Sequence, residues 1–539
     1  MMEERKGKFS PMKRLKKTEK GNRSGEVFCF ALFGACILAL ILFWIFCPDN
    51  LMHSDTTAEV VLSGLLADEG SLISGNWFYS TEIRIVYSHL IMIPLFWLFS
   101  DYTLIKIISS FIFYALLVWA YAALGKRFAL EKKWHFLCLA LLFAPLSNEY
   151  LDMMFIGCFY TSQVICTYLV LSLFFKEKKT GKAFALHTAV LCTASLILGL
   201  SGLRYLAGLF LPLLLAYLFF VLTQPGVWRK ENIPPVLLSL GMTASAGVGF
   251  LINKFYLAVH YSFDTTSEVA FVPISEVPER FMTSIRLMLE FMGYREVTVV
   301  TPLGLVNPVK CIFFLAFTGI IVWLWKNRME RIDRTERIFL YFFIFLFLIN
   351  WYMLIFTNVL MQYRYWLPVY VTGVLLIGVF LQKWQPDMKH LKMLLSGFLG
   401  VVVIASLYGE LWQDVKYNDC EKRYGYMEFL EENDYDFGYA TFWNASVTEY
   451  LSDGKIKVGN LGGSDGKAAP YEWLTPKSYY RSGFHVGKTF LLLARTEEAG
   501  MLSGDFTVME DAECVYQDEY YAVYEGQQGM YIFSEGYEP

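Results

Sequence analysis

Two carboxylates near the N-terminus, Asp55 and Glu59, have the residue type and spacing that chemistry needs. They lie four residues apart, so on a helix they would share one face. Apolar residues follow in Val60–Leu66, the pattern of an amphipathic helix that would hold a carboxylate at the depth of a lipid phosphate. Such a carboxylate is suited to take a proton from a hydroxyl group. The alternative is that Asp55 caps a helix and Glu59 is a solvated residue.

A second acidic pair, Glu149 and Asp152, stands in the short segment Ser147–Asp152 between two apolar runs. A charged side chain that faces lipid costs about 2.5–3.5 kcal/mol or more. We therefore expect both carboxylates to face an aqueous cavity, where they are further candidates for proton transfer. A plain polar turn is the alternative.

Two arginines, Arg204 and Arg364, lie where a loop meets an apolar run. The planar fork of a guanidinium suits the oxygens of a phosphate. The alternative is an interfacial arginine that extends its charge to water among aromatic neighbours.

Three residues of the same early loop suit a sugar ligand. Trp77 and Tyr79 could stack on a sugar ring, and Glu82 could accept hydrogen bonds from its hydroxyl groups. The competing interpretation is an aromatic belt at the membrane surface.

Several classes of protein find no support in the sequence. The seven histidines are scattered, and there is no HExxH, no Cys/His cluster, no G-x-S-x-G and no P-loop. The sequence therefore predicts no metal ligands and excludes a transporter with its own ATPase. Residues 410–539 hold 10 basic against 24 acidic residues, a net charge of −14, which argues against nucleic acid as a partner.

The composition indicates a membrane protein that must position these groups. Of 539 residues, 55% are hydrophobic and only 18% are charged, against about 25% charged in soluble domains. The first uncharged run, Val27–Cys47, has 21 residues and reads as a retained anchor. Ten further runs of sufficient apolar character make eleven predicted spans; these lie at about 104–124, 134–147, 154–175, 183–201, 205–222, 235–257, 310–325, 338–358, 366–382 and 391–409.

The charge distribution decides whether one further apolar stretch, His89–Ser100, crosses the membrane. If it does not cross, the loops on the side of the basic head hold 18 Lys and Arg and those on the other side hold six. If it does cross, every later loop changes sides and the rule that positive loops stay inside is inverted. We therefore predict a cytoplasmic N-terminus, and a His89–Ser100 helix that lies on the outer leaflet.

The chain is thus predicted to have three parts. Residues 1–26 form a basic cytoplasmic head, with nine basic against four acidic residues. Residues 27–409 form the membrane domain, with long outside loops at 48–103 and 260–309, and long loops tend to be functional. Residues 410–539 are long enough for a small extracytoplasmic domain. A strand at Phe437–Trp443, a helix at Ala445–Ser452, and further strands at Lys455–Val458, Thr489–Ala494, Cys514–Gln517 and Tyr520–Tyr524 predict an α/β fold for it.

These features together resemble the polytopic glycosyltransferases of the GT-C fold. The closest likeness is to bacterial relatives of the dolichyl-phosphate-mannose–protein mannosyltransferases and the lipid A aminoarabinose transferases. The resemblance rests on an early acid in a long first loop, here Asp55, and on acids between the third and fourth spans, here Glu149 and Asp152. It also rests on an Arg-Tyr-x-x-Pro-like element before a late span, here Arg364-Tyr365-Trp366-Leu367-Pro368.

The resemblance implies inverting transfer of a hexosyl or pentosyl group from a polyprenyl-phosphate donor to an acceptor outside the membrane. In that interpretation Asp55 is the base, and Arg364 with Arg204 stabilises the leaving phosphate. Glu59, Trp77, Tyr79, Glu82 and Tyr365 are further candidates for binding substrate. No cofactor is required, and a divalent cation stays an open alternative.

Two other classes compete with a transferase. A transporter or flippase for a lipid-linked precursor would carry ionisable residues at mid-span and interrupted helices in matching halves. A non-catalytic membrane scaffold built on the acidic tail would make the loop carboxylates dispensable.

Overall fold

A computed structural model of the chain describes residues 11–176, 181–223, 232–261, 269–386, 388–412, 419–464, 467–481, 483–502 and 512–526. Within these ranges, nine helices are long and apolar enough to cross a membrane, as predicted for a multi-pass membrane protein. Part of the predicted basic head, residues 1–10, lies outside the described ranges, as do residues 177–180 and 224–231 of two predicted cytoplasmic loops.

In its described ranges, the membrane domain consists mainly of helices. Its helices are α1 (Pro11–Phe46), α2 (Ser54–Glu69), α3 (His89–Phe96), α4 (Tyr102–Gly125), α5 (Lys132–Phe143), α6 (Asn148–Leu151), α7 (Thr161–Phe174), α8 (Lys182–Gly199), α9 (Leu203–Tyr205), α10 (Leu211–Leu222), α11 (Ile233–Ile252), α12 (Ala258–Tyr261), α13 (Val277–Phe291), α14 (Val306–Lys326), α15 (Arg334–Phe356), α16 (Leu367–Lys383) and α17 (Lys389–Ser406). Single π-helical turns continue several of them at Asp152–Ile156, Leu206–Phe210, Asn253–Leu257 and Leu407–Leu411.

Two of the eleven predicted spans are realised as shorter helices. In place of 134–147 and 154–175 the structure has α5 and α7, and α5 meets the segment Asn148–Ile156 at an angle of 105°. The cause is Pro145, because a residue before proline avoids helical geometry, and Ala144 is indeed extended with ψ 124°.

Hydrogen bonds show that α5 and α7 still connect the two ends of the bundle. At one end, Glu131 N, just before α5, donates to Gln382 Oε1 (2.9 Å), and Arg127 Nε donates to Ser172 O near the end of α7 (2.9 Å). At the other end, Leu146 O, after α5, accepts from Lys310 (2.8 Å). We call this second end, which carries the first loop and the C-terminal region, the site end.

The apolar stretch at His89–Ser100 does not cross. It forms α3, an eight-residue helix. The chain arrives at the site end through α1 and leaves it through α4, whose Tyr102 N donates to Asp453 in the C-terminal region (2.9 Å). Residues 48–101 therefore all lie at the site end, as the charge count predicts.

The surface helix predicted after Asp55 is buried instead. Along α2 nearly every residue is enclosed, including Glu59 with 7% of its surface exposed. The C-terminal region covers the side of α2 opposite Asp55 and Glu59, since Thr57 Oγ1 lies 3.0 Å from Ser446 Oγ. Glu59 is therefore not a solvated residue.

The C-terminal region is the predicted small α/β unit. Its described elements are α18 (Tyr424–Glu432), α19 (Phe442–Leu451), α20 (Arg495–Leu502), β2 (Phe437–Thr441), β3 (Lys457–Ser464), β4 (Lys467–Pro470), β5 (Thr475–Pro476), β6 (Phe490–Ala494), β7 (Ala512–Gln517) and β8 (Tyr521–Gly526). Six strands form one sheet in the order β4-β3-β2-β6-β8-β7, with β2 parallel to both β3 and β6. The predicted strand 437–443 ends two residues early because Thr441, a favoured residue type at this position, is the N-cap of α19.

A second, two-stranded sheet ties this region to the first loop. Strand β1 (Trp77–Phe78) pairs antiparallel with β5. The sequence gives no signal for this pairing, since both strands have only two residues. The C-terminal region is thereby fixed above the part of the bundle where the candidate residues lie.

Candidate functional site

Asp55 lies in the first turn of α2 and lines a cavity of about 470 Å³ at the site end. The helix N-terminus favours a carboxylate there because its free N–H groups carry partial positive charge. The N-cap is His53, so Asp55 does not cap the helix. Among the residues that the structure describes, the Asp55 carboxylate has no hydrogen-bond or ion-pair partner. It is therefore available to a ligand in the cavity.

Glu59, one turn along α2, belongs to a chain of alternating charges. Its Oε1 lies 3.7 Å from Arg84 Nη1, Arg84 Nε lies 3.9 Å from Glu82 Oε1, and Glu82 Oε1 lies 2.9 Å from Arg204 Nε. Burial raises the pKa of Glu59 to about 7, and the nearby Arg84 guanidinium opposes that rise. The carboxyl group of Glu59 therefore titrates near neutral pH.

Glycine at position 202 allows the contact between Glu82 and Arg204. Gly202 has φ +92°, and a Cβ there would overlap the Glu82 carboxylate. The Gly-Leu-Arg sequence thus brings the backbone close to Glu82 just before α9. The Arg204 guanidinium also lies over the Tyr160 ring, 5.2 Å from its centroid.

Arg364 approaches the same cavity from the opposite wall. It lies in the 3-10 turn Tyr363–Trp366 that opens α16, and the buried side chains of Trp366 and Leu367 hold this turn in place. Arg364 and Tyr365 both line the cavity with Asp55. Within the described ranges, the Arg364 guanidinium has no hydrogen bond and no ion pair, so its five donors face the cavity unpaired.

The second acidic segment is joined to the first through a histidine. Asp152 Oδ2 lies 3.1 Å from His53 Nε2, while Asp152 Oδ1 is buried with no hydrogen-bond partner in the described part of the chain. Burial lowers the pKa of His53, but the hydrogen bond to Asp152 and the neighbouring carboxylates raise it above its ordinary value overall. Glu149 is half-buried and lies within electrostatic range of Arg364 and His53.

Trp77 and Tyr79 do not reach the cavity. Trp77 is 1% exposed and Tyr79 is 6% exposed, and both pack in an apolar cluster with α2. The Tyr79 hydroxyl is already engaged, since it accepts from Ser74 N at 2.8 Å. This placement supports neither a sugar-stacking role nor a membrane belt for the two rings; they hold the first loop together.

The cavity continues sideways into a larger groove of about 660 Å³ between α9–α12 and α15–α16. The two spaces share a set of lining residues that includes both arginines: Thr81, Tyr160, Arg204, Val269, Val359, Arg364 and Tyr365. Glu82 lines the groove, and apolar residues such as Ala207, Phe250 and Phe255 form much of its wall. The site therefore combines a charged chamber with an apolar side groove.

A metal centre has no support in the donor set. In the ranges that the structure describes, no three His, Cys, Asp or Glu side chains are grouped so as to hold a metal ion. We assign no step to a cation.

Sequence reasoning missed three contributors to this site. Arg84 is a basic residue of the first loop that no local pattern distinguishes, and its pairing with Glu59 depends on the fold. Tyr160 lies in a short turn with no distinguishing pattern. Trp473 comes from the C-terminal region and reaches the cavity only through the β1–β5 pairing, which the sequence does not predict.

Comparisons with known proteins agree with this architecture. No protein-family model and no curated protein matches the chain by sequence. Among solved structures, ArnT from Cupriavidus metallidurans bound to undecaprenyl phosphate is similar, with TM-score 0.56 and 12% identity over 93% of this chain and 98% of that one. Its apo state gives TM-score 0.55 and 11% identity, covering 92% and 97%.

A further similar structure is the apo oligosaccharyltransferase of Archaeoglobus fulgidus, with TM-score 0.48, 11% identity and coverage of 88% of this chain and 70% of that one. The likeness to ArnT spans nearly the whole of both chains. The predicted fold class is thereby confirmed: a multi-pass helical membrane domain with a small C-terminal α/β region, in the GT-C fold that ArnT has.

Proposed function

We propose that this chain is a membrane glycosyltransferase that transfers a sugar from a polyprenyl-phosphate donor to an acceptor on the outer face of the membrane. One observation carries the proposal: Asp55 and Arg364 line the same cavity, and neither is paired with a residue that the structure describes. A free carboxylate and a free guanidinium are what a base and a phosphate-binding group require.

The proposed reaction is an inverting displacement. The acceptor hydroxyl oxygen forms a bond to the anomeric carbon of the sugar while the bond from that carbon to the carrier phosphate breaks. Asp55 takes the hydroxyl proton, and the phosphate leaves with the bonding electrons and the negative charge, which Arg364 stabilises. Arg204 borders the same space, but its charge is balanced by Glu82 at 2.9 Å, so Arg364 is the main cation for the leaving phosphate.

The side groove supports a lipid-linked donor. About half of its lining residues are apolar, among them Phe250, Phe255 and Met353, and it shares with the cavity the part that holds both arginines. A carrier chain in the groove would place its phosphate beside Arg364. The structure of ArnT with undecaprenyl phosphate supports a carrier of this class.

The transporter alternative has less support. In the nine long helices of the described chain, the Asp, Glu, Lys and Arg residues lie near the span ends, not at mid-span. The π-helical turns at Asp152–Ile156, Leu206–Phe210, Asn253–Leu257 and Leu407–Leu411 also lie next to the site end. Mid-span charge, the feature expected of a transporter, is missing from the helices that the structure describes.

The test is sugar transfer in reconstituted membranes with a panel of undecaprenyl-phosphate sugars and a membrane extract as acceptor. Release of free undecaprenyl phosphate is measured, so that the acceptor need not be known. Asp55→Asn should lower the rate about 10²–10⁴-fold, the usual effect of removing a general base. Asp152→Asn and Glu149→Gln serve as matched carboxylate variants. A wild-type rate for Asp55→Asn with loss in either of the others would move the base to the second acidic segment. Unchanged rates for all three would contradict a base at any of these carboxylates, and no release of undecaprenyl phosphate by the wild type would contradict the enzyme proposal.

We also propose that the site end is extracytoplasmic. The basis is the excess of Lys and Arg in loops at the opposite end. Cysteines introduced by Asp68→Cys and Glu279→Cys, both exposed at the site end, should react with an impermeant thiol reagent added outside. Lys126→Cys and Arg331→Cys should react only after the membrane is permeabilised. Labelling of Lys126→Cys from outside would reverse the orientation.

A further inference from the structure

The C-terminal region supplies part of the wall of the cavity that contains Asp55. Trp473 and Leu474 line this cavity, and both lie between β4 and β5. Leu474 N donates to Phe78 O in the first loop at 2.8 Å, which anchors the segment next to the β1–β5 sheet. The Trp473 carbonyl accepts from Asn460 Nδ2. The position of Trp473 is thus fixed by both regions of the chain.

Near Trp473 lie three aromatic side chains in contact, Phe442, Trp443 and Tyr471; we call these three together with Trp473 the aromatic rim. The ring of Phe442 lies 5.2 Å from Trp443 and 5.9 Å from Tyr471, measured between centroids. Trp473 N donates to Tyr471 O at 2.7 Å, which places the two residues in one tight turn. Trp443 is 62% exposed and Tyr471 is 43% exposed, so the outer part of the rim faces solvent.

A second connection runs from the rim to Asp55. Phe442 and Trp443 form the first turn of α19, and Ser446 lies in the next turn. Ser446 Oγ donates to Ser54 O at 3.1 Å, and Ser54 is the residue before Asp55. One end of the rim is therefore tied to the start of α2 and the other to β1 of the first loop. A group of exposed aromatic side chains beside a cavity is typical of a binding surface.

We propose that the aromatic rim binds a saccharide portion of the acceptor, and that Trp473 positions it so that a hydroxyl group reaches Asp55. The rim offers flat apolar rings at the edge of an aqueous space, and one face of a sugar ring presents C–H groups while its hydroxyls remain in water. Solvent-exposed Trp443 and cavity-lining Trp473 belong to the same part of the C-terminal region, an arrangement that fits a chain of sugar units. The inference rests on the proposed transferase function and specifies the chemistry of its acceptor.

The test measures binding of the full-length protein, in lipid nanodiscs, to immobilised neutral oligosaccharides of hexoses and N-acetylhexosamines. Serine- and threonine-rich peptides form a second arm. The wild-type chain should bind a subset of the oligosaccharides and none of the peptides. Trp473→Ala should weaken that binding at least 10-fold, while Trp473→Tyr, which keeps an aromatic ring, should retain most of it.

Tyr520→Ala is the matched control, because Tyr520 is an exposed aromatic residue of the same region outside the rim. It should bind as the wild type does. Equal binding by Trp473→Ala and the wild type would overturn the proposal, as would retention on peptides alone or on no probe. Arg364→Ala separates acceptor binding by the rim from donor binding by Arg364. This variant should bind oligosaccharides as the wild type does, so the oligosaccharide assay stays informative even if Arg364 does not contact the donor.

Discussion

The charged side chains on the two sides of the cavity differ in whether they are paired with each other. On the side of the first loop, Glu59 and Arg84 line the cavity and alternate in sign with Glu82 and Arg204 through contacts of 2.9–3.9 Å, whereas Asp55 lies outside this row of pairs. At the start of α16, Arg364 has no hydrogen bond and no ion pair with a described residue, although Glu149 lies within electrostatic range.

Paired and unpaired charges have different uses. A buried charge that already has a partner keeps the fold and sets the local potential, and removing its partner is costly. A charge that faces an aqueous cavity without a partner has no such structural role, so a ligand explains it better. By this criterion we propose that Asp55 and Arg364 contact the substrates and that Glu59 and Glu82 support them.

Among the arginines and glutamates at the cavity, substitution of Arg364 should lower activity the most. Arg364→Ala should lower kcat/KM for the lipid-linked donor about 10–100-fold, because charge-assisted hydrogen bonds to the phosphate are lost. Arg364→Lys keeps the charge without the fork and should recover only part of the loss. Arg204→Lys should cost less than Arg364→Lys, since Arg204 already pairs with Glu82. Equal losses in the two lysine variants would mean that pairing does not distinguish the arginines.

A middle-sized effect is expected from Glu82. Glu82→Ala leaves Arg204 without its partner and should lower the free energy of unfolding by about 1–3 kcal/mol. The double variant Glu82→Ala/Arg204→Ala should be less destabilised than the sum of the single variants, because the unpaired charge is removed. Thermal unfolding in detergent measures this, with Glu330→Ala, an exposed carboxylate at the opposite end, as control. If the losses in unfolding free energy are additive in the double variant, Glu82 and Arg204 do not interact energetically.

The smallest effect concerns pH. The folded-state pKa of Glu59 is about 7, above its ordinary value, so the folded protein holds this proton more tightly than the unfolded chain does. The resulting stability is fully present below the ordinary pKa of glutamate and is lost as the pH rises through about 7. The thermal midpoint of the wild type should therefore fall from pH 5 to pH 7 relative to Glu59→Gln. Parallel pH curves for the two proteins would show that Glu59 titrates normally.

The sequence predicts the fold and the types of residue in the site better than it predicts which residues and segments contact each other. Apolar runs and the bias of Lys and Arg are local or additive signals, so the spans and the non-crossing His89–Ser100 follow from them. The 105° bend after α5 needs the effect of Pro145, which a hydropathy window averages away. The predicted span boundaries are therefore wrong where a single residue, here Pro145, ends a helix inside an apolar run.

Pairing and burial depend on which distant segments meet. Trp77 has the same signature whether it stacks on a ligand or packs beneath α2, and only the contact with β5 in the C-terminal region decides. The aromatic pattern around Trp473 likewise means little until β1–β5 brings it to the cavity. Asp55 and Arg364 are predicted from residue type and position, a carboxylate four residues before Glu59 and a guanidinium where a loop meets an apolar run, and these signals need no tertiary contact.

The central claim is that Asp55 and Arg364 act on different substrates in one cavity. The most direct measurement is a pair of readouts on each variant: binding of undecaprenyl phosphate by native mass spectrometry, and sugar release from the donor at saturating concentration. We predict that Asp55→Asn binds undecaprenyl phosphate as the wild type does but loses about 10²–10⁴-fold in rate, whereas Arg364→Ala loses the binding itself. Wild-type binding by Arg364→Ala, or loss of binding in Asp55→Asn with an unchanged rate at saturation, would contradict the account.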